Sequence, residues 1–109
     1  MRIRIILLAC LLFIVTAPAV RADTAIGTKW RPIALDQGNC MSYARMAIFR
    51  LGFYKSDPGS QTMSGKKGEY TASIRCISDN QLVFFIIAGP SPDVVANYLN
   101  ILYSQFGVM

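Results

Sequence analysis

Apolar residues recur at Cys40, Ala44, Ala47, Ile48 and Leu51, the +4, +7, +8 and +11 spacing of one helical face. Asn39 precedes them as a candidate N-cap, and Gly52-Phe53 follows in the order of a left-handed helix stop. The pattern predicts a helix over residues 40–51. Residues 69–78 switch to a period of two. Tyr70, Ala72, Ile74 and Cys76 fall on one face, Thr71, Ser73, Arg75 and Ile77 on the other, so a strand with the first set inward is expected. A short strand over residues 60–64 precedes it, joined through a hairpin tip at Gly65-Lys66-Lys67-Gly68. Residues 82–88, Leu-Val-Phe-Phe-Ile-Ile-Ala, are apolar on both faces. A strand of this kind is central and covered on both sides, or one face meets a partner. Ser91-Pro92-Asp93 then carries an N-cap, a first-position proline and a first-turn acid. Val95, Leu99, Leu102 and Phe106 continue as the stripe of a second helix.

The expected fold class is α+β: helix, three-stranded antiparallel sheet, helix. Residues 23–37 lack a clean period and read as an N-terminal extended arm, with an edge strand near 30–35 and Trp30 docked on the domain. The domain itself is expected to span residues 38–107.

The first residues have a different organisation. A basic start, Met1-Arg2-Ile3-Arg4, leads into an unbroken apolar run of eleven residues from Ile5 to Val15. Pro18 breaks it, and Ala22 ends a small-residue stretch. This layout predicts a signal peptide over residues 1–22, cleaved after Ala22. A helix crossing a bilayer needs roughly 20 apolar residues, and this run is too short. Leu7-Leu8-Ala9-Cys10 resembles a lipoprotein processing site, but the apolar run continues past Cys10, where a lipid-modified cysteine should follow it. The membrane is therefore expected to be met only through the transient signal peptide, and the protein to reside in a periplasm or outside the cell.

Cleavage changes the charge. The whole chain carries +5. Losing Arg2, Arg4 and Arg21 leaves eight basic residues against six acids, a net +2. That is an ordinary surface and gives no motive for nucleic acid. Two cysteines then remain, Cys40 and Cys76. An even count in an exported chain reads as a disulfide, here from helix to sheet, since both positions face the core. Such a closure is expected to stabilise the fold by about 3 to 4 kcal/mol. The alternative is a redox-active thiol pair, disfavoured because buried cysteines on apolar faces are inert.

No histidine is present, which removes the commonest general base and metal ligand. The acids at Asp23, Asp36, Asp57, Glu69, Asp79 and Asp93 form no close pair and no calcium-loop pattern. No cofactor, metal or catalytic residue is expected. Three sets of residues remain as candidates for binding. Lys66 and Lys67 between glycines could cradle an anion or touch a membrane surface. Ordinary capping accounts for the Ser91 helix start. Arg45, Phe49, Arg50 and Arg75 could share one recognition surface. Val83, Phe85 and Ile87 could form a self-association interface on the apolar strand.

The succession Asn39-Cys40, Gly52-Phe53, Gly68-x-Tyr70, Ile74-x-Cys76 and Ala88-Gly89-Pro90 resembles small exported bacterial domains of unassigned function. The resemblance covers most of residues 38–106. It implies a compartment and a disulfide, and brings no catalytic or binding residue. The expected function is therefore non-catalytic, with a protein partner or a homo-oligomer. Anion or membrane-surface binding and thiol-redox chemistry are the alternatives.

Overall fold

A computed structural model describes residues 24–54 and 59–108. The proposed signal segment, residues 1–22, lies outside the described residues. The chain runs β1 (Ala25–Pro32), α1 (Gln37–Arg50), β2 (Thr62–Lys67), β3 (Tyr70–Ile77), a short 3-10 turn (Ser78–Asn80), β4 (Leu82–Gly89) and α2 (Pro92–Gln105). The α+β class and both helices are as expected. The sheet, however, has four strands, in the order β1-β4-β3-β2, all neighbours antiparallel.

The added strand is most of the segment read as an arm. β1 pairs along its whole length with β4, from Ala25 opposite Gly89 to Pro32 opposite Leu82. It escapes a hydrophobic-period reading because its inward positions are Ala25, Gly27, Lys29 and Arg31. The two cations substitute for apolar residues by placing their charged groups over aromatic rings. Lys29 Nζ stands 4.8 Å from the Tyr103 ring centre, and the Arg31 guanidinium 5.0 Å from that of Phe106. Arg31 also donates to the Phe106 carbonyl at 3.0 Å, at the C-terminal end of α2, where a cation is favoured.

α1 starts three residues earlier than its apolar stripe. Asp36, not Asn39, is the N-cap: its Oδ1 accepts from the Asn39 N–H at 2.7 Å. A carboxylate three residues upstream satisfies that free N–H, so the helix extends back through Gly38. The far end stops as the Gly52-Phe53 pair requires. Gly52 takes φ +81°, its N–H meets the Phe49 carbonyl at 2.9 Å, and the Phe53 N–H meets that of Ile48 at 3.2 Å. These are the two bonds of a Schellman stop, with Phe53 buried beneath it.

The hairpin between β2 and β3 is tighter than the glycine spacing suggests. Lys66 and Lys67 are ladder residues, opposite Thr71 and Tyr70, and only Gly68 and Glu69 turn.

Both helices cover one face of the sheet. Ala72, Ile74 and Cys76 of β3 and Val83, Phe85 and Ile87 of β4 are completely buried there, beneath Ala44, Ala47 and Ile48 of α1 and Val95, Leu99 and Leu102 of α2. The Cys40–Cys76 disulfide ties α1 to β3 within this layer, with Cα atoms 6.0 Å apart and both residues at 0 % exposure. Gln37 closes the same end. Its amide donates to the carbonyls of Ser60 and Cys76, each at 3.0 Å, and its carbonyl accepts from the Ser78 N–H.

Gly89 ends β4 for a steric reason. A Cβ there would stand 2.1 Å from Tyr70 Cδ1. The Tyr70 ring is itself held edge-on to Tyr98. Gly89→Ala is expected to cost about 1 to 3 kcal/mol, as overpacking does in a filled layer. Thermal unfolding of the variant checks this; an unchanged melting temperature would mean that Tyr70 moves aside freely.

Candidate functional site: the helix-free face and edge of the sheet

Alternation decides what the second face of the sheet displays. Every odd-numbered position of β4 points to the helices, so the even positions Leu82, Phe84, Ile86 and Ala88 point away. The registers place them in four rows. Pro32, Leu82 and Ile77 form one; Trp30, Phe84, Arg75 and Thr62 the next; Thr28, Ile86, Ser73 and Ser64 the third; Ile26, Ala88, Thr71 and Lys66 the last.

This face has two halves. The β1–β4 half is apolar, with Trp30 60 % and Ile26 67 % exposed at its outer margin. Tryptophan and isoleucine in water at this level are a cost that covering would relieve, by roughly 1.5 to 3 kcal/mol for a fully buried side chain of the Leu or Phe class. The β2–β3 half is polar: Ser64 and Ser73 share a hydroxyl hydrogen bond at 2.9 Å, and Arg75 donates to Gln61 Oε1 at 2.9 Å. Lys66 and Arg75 are its cations, and no acid stands in the four rows.

The sequence-predicted site residues scatter across the molecule. Val83, Phe85 and Ile87, expected as an interface, are at 0 % exposure in the helix-covered core. Phe85 packs against Tyr103 and Phe106. A strand apolar on both faces gives no parity of its own, so the exposed set could not be chosen from residues 82–88 alone; the even positions hold it. Trp30, expected to dock, lies in the open on the outer side of β1.

The four-residue recognition surface also separates. Arg45, Phe49 and Arg50 are exposed on the outer side of α1. Arg75 projects from the opposite side of the sheet, because its neighbour Cys76 points inward to α1. Arg45 borders a shallow depression of about 260 Å³ with Met41 and Met63. Arg50 borders an open groove of about 420 Å³ with Lys67, Tyr98 and Ile101.

Lys66 and Lys67 do not converge on an anion. Consecutive strand residues face opposite ways. Lys66 stands on the helix-free face. Lys67 turns to the helix side, donates to the Leu51 carbonyl at 3.1 Å and lies 5.4 Å from the Tyr98 ring centre. Its charge therefore serves the C-terminal end of α1.

At the remaining predicted position, Ser91 is the N-cap of α2, with its hydroxyl accepting from the Val94 N–H at 3.4 Å.

The one signal that could have found Trp30 and Ile26 is the pairing of a β1-like segment with the doubly apolar strand. Reading AIGTKWRP as a strand puts Ile26, Thr28 and Trp30 on one side and the small and basic residues on the other.

No protein-family model matches the chain, and no curated protein is significantly similar to it. The site therefore stands on its own geometry. Among the described residues no helix is long and apolar enough to cross a membrane. The buried disulfide fits an oxidising, extracytoplasmic environment.

Proposed function

We propose that this chain is a non-catalytic exported module that acts by contact with another polypeptide, through the apolar half of the helix-free sheet face. The observation that carries the reading is the exposure of Trp30 and Ile26 beside Phe84 and Ile86. Large aromatic and branched side chains aligned across two strands make the centre of a protein contact, with polar residues as its rim. Here Arg75, Ser73 and Thr71 flank the apolar half on β3. An apolar sheet half bordered by polar residues has the composition of a surface that meets another polypeptide.

The thiol-redox alternative has less support, since both sulfurs are bonded to each other and fully buried. Anion capture by the lysine pair loses its motive with the divergence of Lys66 and Lys67.

A photocrosslinking residue at position 30, introduced in the producing cell, tests the reading. The probe at this position should give a covalent adduct of defined mass with a polypeptide. The same residue at exposed Asn97 of α2 should give none. Equal yields at both positions, or none at position 30, would remove the helix-free face from consideration.

A further inference from the structure

We propose that the polypeptide bound is a second copy of this chain, joined antiparallel along β1, so that two four-stranded sheets continue into one. The proposal deepens the reading above and rests on it for the role of Trp30 and Ile26.

The two edges of the sheet differ. β2 is partly occupied at its outer side: Tyr54 exchanges hydrogen bonds with Lys66 at 2.8 and 2.9 Å, and the Thr62 carbonyl accepts from the Gly59 N–H at 2.9 Å. β1 is the terminal strand at the other edge. The direction of its backbone groups follows from one bond. The Ile33 N–H donates to the Gln81 carbonyl at 2.9 Å, in the same register that pairs the rest of β1 with β4. Antiparallel ladders alternate, so the odd residues from Ala25 to Arg31 bond to β4. The N–H and C=O groups of Ile26, Thr28 and Trp30 therefore point outward from the sheet. These are the same residues whose side chains are exposed on the helix-free face. Among the described residues, outward backbone groups and exposed side chains coincide on this one strand.

Edge strands are ordinarily guarded by charges leaning over the edge, by bulges or by prolines. β1 has an uninterrupted register, and its single proline is the last residue. Lys29 and Arg31 are drawn inward onto Tyr103 and Phe106.

The edge is self-complementary about Thr28. A two-fold axis there sets Thr28 opposite its own copy and Ile26 opposite the second copy's Trp30, twice by symmetry. On the inner side Gly27 meets Lys29, and Ala25 meets Arg31, so no cation faces a cation. Centring the axis on Lys29 would oppose two lysines and bring Pro32, which has no N–H, into the ladder. Centring it on Trp30 would oppose Lys29 and Arg31. Centres nearer the N-terminus pair less of β1. In the Thr28 register the apolar halves of both faces merge, while Lys66 and Arg75 of each copy stay on the far strands. The occupant is thus one that supplies a matching edge without requiring acids the face does not select.

The exported, oxidised protein, followed by sedimentation across a concentration series together with amide hydrogen exchange, tests this. A dimer is expected, in which the Ile26, Thr28 and Trp30 amides become protected as concentration rises. Thr28→Pro removes an outward N–H and leaves the β1–β4 ladder intact. Two symmetric hydrogen bonds are lost per dimer, so dissociation should rise about tenfold or more while the monomer keeps its melting temperature. Should Thr28→Pro fail to fold, exchange in the unmodified protein decides alone. A dimer whose three amides exchange as fast as in dilute solution would overturn edge pairing. So would a dimer broken by Phe84→Lys but not by Thr28→Pro, which would leave the face as the contact and only the edge refuted. A monomer at every concentration overturns the second copy as partner; adducts from position 30 with a different polypeptide would then uphold the contact face without it.

Discussion

Phe85→Ala should unfold the protein or bring it close to unfolding, whereas Phe84→Ala should leave a folded chain. The two residues are adjacent, alike in chemistry and equally apolar in context. Phe85 is completely buried, packed edge-on to Phe106 at 5.4 Å and tilted to Tyr103 at 5.2 Å, with the Arg31 guanidinium at 6.0 Å. Truncation would open a cavity at the joint between β4 and α2, and buried Phe-to-Ala changes cost about 3 to 5 kcal/mol. A domain of this size has a total stability on the order of 5 to 15 kcal/mol. Phe84 stands on the other side of the same strand, between Trp30 and Arg75. Removing it deletes surface contacts within the apolar half, and about 1 kcal/mol or less is expected, by the measure of cross-strand pairs. Denaturant titration of both variants, at a concentration where each is monomeric, measures the difference. Equal losses would mean that the helix-free face is itself covered within the monomer, and the contact surface proposed above would go with it.

The second large effect is expected from the disulfide. Replacing Cys40 and Cys76 together by Ala should lower stability by about 3 to 4 kcal/mol, because the unfolded chain regains the freedom of a long loop. The closed loop has a sequence separation of 36 and contains most of α1, all of β2 and most of β3. For a 60–100-residue domain each kcal/mol is about 4 to 8 °C in melting temperature, so a fall of roughly 12 to 30 °C should be seen. The loss should be larger still if the two alanines leave part of the sulfur volume empty. The replaced side chains sit at 0 % exposure between Gln37 and the end of β3, where three hydrogen bonds of Gln37 brace the same junction. Those bonds should keep the loosened protein native in outline, with a far-ultraviolet spectrum unchanged below its transition. A variant as stable as the parent would show that the crosslink serves something other than stability, and would revive thiol chemistry as a role for Cys40 and Cys76.

These two variants also bear on the difference between folding and function in so small a sheet. Removing the crosslink or the inner Phe85 acts on the layer beneath the helices. Trp30 and Ile26 lie on the other layer, 60 % and 67 % exposed, and changing them is expected to leave the helix-covered layer intact. A protein with one covered and one open apolar sheet face has each strand obeying two sets of demands, separated only by the parity of the residue number.

The elements with strong local signals were legible from the chain alone. The Cys40-to-Leu51 stripe, the Gly52-Phe53 stop, the Ser91-Pro92 start and the alternation from Tyr70 to Cys76 each rest on neighbours within one turn or one strand, where propensity and periodicity act directly. The inward parity of β3, and with it the Cys40–Cys76 bond, followed from that alternation. Four matters were settled only by the tertiary structure. β1 joins the sheet because β4 offers it a partner from the other end of the chain and because Tyr103 and Phe106 accept its cations. The lysine pair diverges because the turn is confined to Gly68 and Glu69. Arg75 parts from Arg45 and Arg50 because the sheet lies between them. The choice between Phe84 and Phe85 depends on which face both helices cover, a property of the assembled layers that a run of seven apolar residues carries on neither of its sides.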